Sequence, residues 1–255
     1  MKFRTVFNST LSALLSLILV LAMFGCSSAE KIDSSTAEGA FAMGQKFEKD
    51  ERYEEAISAY SDVKNKFPYS RFAVEAALKI ADIEFARENY VEAESAYRLF
   101  KEFHPNHPKI DYVTYQTGLS VYNQLPPTTD RDLTLATAAI DYFDQVINSY
   151  PSSEFVTKAK EYKEKAQKML AEKADYIAQF YFKRMKWEAA LGRFEDMMKN
   201  FPIENYAVKS LYGATVCAYR MKDMDKAKTY FKKLLAEYPN SPELDKARKE
   251  LADGF

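Results

Sequence analysis

The sequence predicts an all-α protein, a solenoid of about five helix pairs that follow one another along the chain. The first observation is a pattern that occurs five times: an alanine, an aromatic residue four positions later, a large apolar residue at seven and a proline at twelve. Offsets of four and seven place three side chains on one helical face. The second observation is the proline, which ends each helix at the same distance from its alanine. The third is that 7 glycines and 9 prolines in 255 residues leave few turns for an all-β fold.

The copies of this pattern are Ala56/Tyr60/Val63/Pro68, Ala93/Tyr97/Phe100/Pro105, Ala139/Phe143/Val146/Pro151, Ala190/Phe194/Met197/Pro202 and Ala227/Phe231/Leu234/Pro239. Their spacing is that of the second helix of the tetratricopeptide repeat. Residues 37–255 are therefore predicted to form one tetratricopeptide-repeat solenoid.

The first 25 residues have the composition of a secretory signal peptide. Lys2 and Arg4 provide a basic start, and an apolar run extends from Leu11 to Phe24. As a helix, these 14 residues would span about 21 Å, which is short of the roughly 30 Å hydrocarbon core of a bilayer. A permanent transmembrane anchor is therefore disfavoured.

The motif Met23-Phe24-Gly25-Cys26 resembles the lipobox of bacterial lipoproteins. That resemblance implies that residues 1–25 are a lipoprotein signal peptide and that Cys26 is acylated, with palmitate among its chains. Ser27 follows in place of the aspartate associated with inner-membrane retention, so the resemblance indicates the outer membrane of a Gram-negative envelope. Residues 26–36 would form a lipid-anchored tether. The alternative is ordinary signal cleavage nearby, which would leave Cys26 without a role.

Repeat one is predicted over about residues 36–69 and repeat two over about residues 70–106. In repeat three the first helix spans Ile110–Tyr122, and Pro126-Pro127 marks a projecting loop over Asn123–Asp132. No helix breaker lies between Glu154 and Met185, so one continuous helix of about 30 residues joins repeats three and four.

In repeat four, Trp187 and Phe194 are expected to be buried on the face of Ala190. With Ala190 at zero and about 100° per residue, Arg193 falls near −60°, at the edge of that face. Repeat five follows, and Ser241–Leu251 is predicted to be an amphipathic helix that covers the end of the solenoid.

No motif in the sequence indicates an enzyme, a metal site or a cofactor. His104 and His107 are the only histidines, and they lie in a proline-flanked turn without a second cluster of ligands. The 36 basic and 37 acidic residues give no basic field for a nucleic acid. Cys217 is predicted to be a small core residue.

Three aromatic residues, Phe67, Tyr69 and Phe72, cluster at the first inter-repeat turn, where the repeat pattern does not require full burial. Solenoid repeats bind extended peptides, and exposed aromatic side chains would serve as anchors. These residues are candidates for a substrate-peptide pocket, and tight packing between repeats is the alternative.

The segments that go beyond the generic repeat are HPNHPKIDYVTYQTGL (His104–Leu119), DRD (Asp130–Asp132), NSYPSSEF (Asn148–Phe155) and the start of repeat four (Trp187–Arg193). With the lipobox and the insertion in repeat three, these segments resemble the BamD family, the lipoproteins of the outer-membrane β-barrel assembly machinery. The resemblance covers nearly all of the mature chain.

The resemblance implies a non-catalytic role at the periplasmic face of the outer membrane. Members of that family dock on the POTRA domains of BamA, associate with other Bam lipoproteins and help to receive unfolded outer membrane proteins. Arg193 matches the family's BamA-facing arginine, and Phe67 matches a pocket aromatic in the N-terminal repeats. Two alternatives remain open: a periplasmic repeat scaffold for cell-wall or division proteins, and an enzyme whose site is dispersed over the repeats.

Overall fold

A computed structural model describes residues 32–251, and every regular element in that range is an α-helix. The helices are α1 Ala37–Lys49, α2 Tyr53–Lys66, α3 Arg71–Ala86, α4 Tyr90–Phe103, α5 Ile110–Asn123, α6 Thr134–Ser149, α7 Val156–Lys183, α8 Trp187–Asn200, α9 Glu204–Arg220, α10 Met224–Glu237 and α11 Pro242–Glu250. The predicted signal peptide and Cys26 lie outside the described residues.

The helices follow one another as five pairs, α1 with α2 through α9 with α10, and α11 closes the series. This confirms the prediction of an all-α protein made of helix pairs. The chain divides into two compact units, Met1–Ala73 and Val74–Phe255.

In the first unit, the core is formed by the pattern residues Ala56, Tyr60 and Val63 of α2, all fully buried. Gly44 of α1 allows the ring of Tyr60 to come close, since a Cβ at that glycine would lie 2.6 Å from the ring. The Tyr60 hydroxyl donates to Glu48 Oε2 at 2.7 Å, which satisfies the polar end of an otherwise buried side chain.

In the second unit, each repeat contributes the same face of its second helix to the core. Twelve positions of the repeated pattern belong to this unit besides the prolines, and all but one of them are buried: Ala93, Tyr97, Phe100, Ala139, Phe143, Val146, Ala190, Phe194, Met197, Ala227 and Leu234. Phe231 is only partly buried and packs against the last cluster, around Leu244 and Ala247 of α11. The expectation for Trp187 is met only in part: it is half-buried, with its ring edge-on to Phe182 at 5.5 Å.

The predicted continuous helix is α7, which has 28 residues. Its first part packs against α6, and its last part forms a pair with α8. The insertion in repeat three is the segment Gln124–Leu133, which contains no helix. Leu133 returns to the core at its end, where it packs with Ala136 and Ala166.

In repeats one, two, four and five, the two helices are joined by a three-residue turn whose middle residue has a positive φ. These residues are Glu51 (57°), Glu88 (62°), Met185 (57°) and Lys222 (64°), and none of them is glycine. The left-handed conformation costs a non-glycine residue free energy, so the packing of the two helices must stabilise it.

Candidate functional site

Three of the four turns between repeats, and the turn before α11, share one hydrogen-bonding scheme. An aromatic residue or histidine ends the helix, a proline follows, and the N–H three residues after the ring bonds back to the carbonyl of the ring-bearing residue. The distances are 3.0 Å for Ser70 to Phe67, 3.0 Å for His107 to His104, 2.9 Å for Ser153 to Tyr150 and 3.2 Å for Ser241 to Tyr238. The side chain of the same serine then accepts an N–H at the start of the next helix, as Ser70 Oγ does from Phe72 at 3.2 Å.

His107 occupies the serine position of this turn. Its Nδ1 accepts the N–H of Lys109 at 3.2 Å, and its ring meets Phe100 edge-on at 5.0 Å. The His104 ring lies at the same distance from Phe100. The histidine pair is therefore part of a helix-capping turn, because each ring already has a structural contact. Among residues 32–251, no group of three or more His, Cys, Asp or Glu side chains is placed to hold a metal ion.

The three aromatic candidates of the first turn differ in their surroundings. Tyr69 is fully exposed, at 103% relative accessibility. Phe72 is half-buried, with its ring 5.4 Å from that of Phe41 and beneath the guanidinium of Arg71. Phe67 is half-buried at the end of α2. The turn therefore offers one fully exposed aromatic side chain, Tyr69, beside two that are half-buried.

A cleft of about 330 Å³ lies between α1 and α2 in the first unit. Ala40, Met43, Phe47 and Ala59 provide its apolar part, and polar or charged side chains complete the lining: Ser34, Glu55, Ser58, Asp62 and Lys66. None of the three predicted aromatic residues lines it. The sequence contained a signal for this cleft, because Met43 and Phe47 lie four residues apart on α1, on a helix that no earlier repeat covers in the repeat pattern.

Tyr112 and Tyr97 belong to a part-buried polar network. Both hydroxyls donate to Asp82 Oδ1, at 2.8 and 2.7 Å. Gln116 Nε2 donates to the Tyr112 hydroxyl at 3.1 Å. Burial, followed by the negative charge of Asp82, raises the pKa of Tyr112 to about 12 and that of Tyr97 further. These tyrosines therefore stay protonated and tie α3, α4 and α5 together.

Arg193 is exposed on α8, with 53% of its side chain accessible, and its Nη1 lies 3.9 Å from Asp196 Oδ2. At about 100° per residue, Arg193 lies about 40° from Met197, a buried residue of α8, so it lies at the edge of the buried face. Leu191 is also buried and extends that face on its other side, to about +100° from Ala190.

Comparison with known proteins places this arrangement in a family. Residues 33–212 match the family model YfiO, described as outer membrane lipoprotein, and residues 209–241 match a tetratricopeptide repeat. The chain belongs to the YfiO family. The family match covers most of the helix pairs, since nine of the ten paired helices begin within residues 33–212.

Several proteins similar to this chain are named outer membrane protein assembly factor BamD. The protein of Rickettsia prowazekii is 29% identical over 239 residues, covering 91% of this chain and 92% of the relative. That of Neisseria meningitidis serogroup B is 25% identical over 246 residues, covering 90% and 92%. That of Vibrio cholerae is 26% identical over 212 residues, covering 79% and 87%.

The helices of residues 32–251 include none that is both long enough and apolar enough to cross a bilayer.

Proposed function

We propose that the chain is a non-catalytic, lipid-anchored subunit of an outer-membrane protein assembly complex at the periplasmic face of the outer membrane. The observation that carries this proposal is that relatives named outer membrane protein assembly factor match about nine-tenths of both chains. The lipobox-like sequence that ends at Cys26 supports the anchor. Acylation of Cys26 with more than one chain gives stable attachment, whereas a single myristoyl chain is marginal.

Docking on the POTRA domains of a BamA-type partner is assigned to Arg193. Its side chain is accessible and its contact with Asp196 is long and exposed, so little free energy is lost when a partner carboxylate replaces Asp196. Arginine can bind that carboxylate through two parallel hydrogen bonds. Gly192 beside it has no atom within 4 Å of an added Cβ, so a partner can approach this face of α8 closely.

Reception of unfolded outer membrane proteins is assigned to the N-terminal repeats. Tyr69 offers an exposed ring that can stack against an aromatic residue of an extended peptide. The neighbouring Phe67 and Phe72 hold the turn that carries Tyr69. The cleft between α1 and α2 adds an apolar surface that can accept a second side chain of the peptide.

The test is to purify the tagged chain from envelopes solubilised in mild detergent and to identify the copurifying proteins by mass spectrometry. The expected partners are a POTRA-containing β-barrel protein and further lipoproteins of the same complex. Recovery of cell-wall or division proteins without any barrel protein would contradict the proposal and favour a different periplasmic scaffold. A strain depleted of the chain should also accumulate unfolded outer membrane proteins.

A further inference from the structure

The end of the long helix α7 carries an exposed surface that neither the core nor the interfaces proposed above use. It comprises Tyr176, Phe180 and residues 183–186, which are the last residue of α7 and the three-residue turn after it, and we call it the cationic turn. Tyr176 is 61% exposed, Phe180 is 41% exposed and Met185, at the tip, is 70% exposed. The three cations of the turn are exposed as well.

The aromatic residues and the arginine lie on one face of α7. Tyr176, Phe180 and Arg184 are four residues apart, which places them one above the other. The Arg184 guanidinium carbon lies 3.6 Å from the centroid of the Phe180 ring, and Arg184 Nη1 donates to the Phe180 carbonyl at 3.2 Å. The surface is therefore continuous from the helix to the turn, and the Arg184 guanidinium lies directly on the Phe180 ring.

Folding alone does not account for two residues of this turn. Met185 has a φ of 57°, and the residues at the same position of the other turns, Glu51, Glu88 and Lys222, are all charged. Lys186 is the N-cap of α8 and makes no side-chain capping bond. A cation at a helix N-terminus is opposed by the helix dipole, so the charge of Lys186 does not stabilise α8.

The part of the chain that the structure describes provides no carboxylate partner for the charge of this turn. No acidic residue occurs between Tyr176 and Trp187. Within residues 32–251, Lys183, Arg184 and Lys186 make no ion pair with a carboxylate. Lys183 and Arg184 lie at the C-terminal end of α7, where the dipole favours them, but that interaction leaves their ammonium and guanidinium groups facing solvent.

We propose that the cationic turn contacts the surface of an anionic phospholipid bilayer, with Met185 and Phe180 in the interfacial region and the three cations at lipid phosphates. Exposed aromatic and apolar side chains among Lys and Arg are the composition of segments that lie at a membrane interface. This inference rests on the proposed anchoring at Cys26. The anchor makes the second contact intramolecular, so a surface of this small size is sufficient.

The experiment uses the full lipidated protein in vesicles. Cys217 is buried and Cys26 carries lipid, so a cysteine introduced at Met185 is the accessible thiol of the described residues for an environment-sensitive fluorophore. The matched control is Lys222→Cys, because Lys222 occupies the same left-handed position in the next repeat. In vesicles containing phosphatidylglycerol, the label at 185 should shift to the blue and be quenched by brominated lipid at least threefold more than the label at 222.

Replacing Lys183 and Lys186 by glutamate in the Met185→Cys protein should abolish the difference, and pure phosphatidylcholine vesicles should reduce it. Equal water exposure of the two labels in phosphatidylglycerol vesicles would overturn the proposal, as would a shift that occurs only with an acidic protein partner. Flotation with phosphatidylcholine vesicles reports the anchor separately. If the protein does not float, the proposed anchor is absent. The fluorescence of the label at 185 is then measured with phosphatidylglycerol vesicles in excess, and a blue shift larger than that of the label at 222 still supports the contact, whereas equal shifts overturn it.

Discussion

The ring of Phe194 on α8 lies directly against the backbone of Gly213 on α9. A Cβ at position 213 would meet three ring carbons at 2.3 to 2.6 Å. Phe194 is fully buried, so its ring cannot move aside into solvent. The contact between these two repeats therefore depends on the absence of a side chain at one position.

Gly213→Ala should destabilise the protein by about 1–3 kcal/mol, the usual cost of overpacking a filled core. Gly192→Ala is the matched control, because nothing lies within 4 Å of its added Cβ. It should leave the stability unchanged or raise it by up to about 1 kcal/mol through helix propensity. Thermal unfolding followed by circular dichroism measures both, and equal melting temperatures for the two variants would contradict the packing described.

His107 should make the stability of the chain depend on pH. Burial, followed by the positive charges of His104 and Lys109, lowers the pKa of His107 from its ordinary value of 6.5. The folded chain therefore releases a proton that the unfolded chain keeps. The stabilisation is complete above the ordinary pKa and is lost as the pH falls through that value to the lowered pKa of the folded state.

The measurement compares melting temperatures at pH 7.5 and pH 5.5. His107→Ser keeps an acceptor for the Lys109 N–H and should reduce the loss of stability at the lower pH. His107→Ala removes both the cap and the titrating group, so it should cost about 1 kcal/mol at pH 7.5 and less at pH 5.5. An unchanged pH dependence in His107→Ser would show that other groups cause it.

Tyr69 and Phe72 should separate peptide binding from folding. Tyr69→Ala should leave the melting temperature unchanged, because the ring is fully exposed, and should reduce crosslinking to a peptide that ends in an aromatic residue. Phe72→Ala removes the contact with Phe41 and should lower the melting temperature, by less than the roughly 3–5 kcal/mol of a fully buried phenylalanine. Undiminished crosslinking in Tyr69→Ala would remove Tyr69 from the proposed site.

Arg193→Glu should weaken the binding of a BamA-type partner by about 2–5 kcal/mol, the scale for disrupting a buried interfacial charge pair. The melting temperature should hardly change, because the side chain is exposed and its contact with Asp196 is long. Lys199→Glu is the control on the same helix, with the same change of charge at another exposed position. The affinity of each variant for the immobilised BamA-type partner should fall only for Arg193→Glu. Equal losses of affinity in the two variants would indicate a general electrostatic effect.

Cys26→Ala should release the protein from membranes or leave it unprocessed, because each buried CH₂ of an acyl chain contributes about 0.8 kcal/mol to attachment. Fractionation of envelopes measures the release. Intact-mass analysis of the unaltered protein should show a diacylglyceryl and an acyl group on Cys26. An unmodified thiol would exclude the anchor.

The helix pairs could be predicted from the sequence because their determinants are local. Alanine, an aromatic residue and a large apolar residue at fixed offsets define one helical face, and Tyr97 or Phe143 can bury itself only on that face. The predicted length of about 30 residues for α7 also came from a local property, the absence of Pro and Gly, and the helix has 28.

The burial of Leu191 could not be predicted in the same way. The orientation of α8 follows from the additional burial of Leu191, which depends on its neighbours α7 and α9 in space. The different surroundings of Tyr69 and Phe72 likewise depend on Phe41 in a distant part of the sequence. The capping role of His107 could have been predicted from the sequence, because a serine occupies the same position in three other turns.

The hydrogen bonds of the turns between repeats join residues that are only two to four positions apart. Each boundary can therefore form as soon as its own short stretch of chain is available, before the residues that follow it. Proteins dominated by such local contacts fold fast, and repeat proteins can begin at any repeat and propagate. A chain that is threaded unfolded through an export channel could thus assemble one helix pair after another as it emerges, and would expose little unpaired apolar surface at any stage.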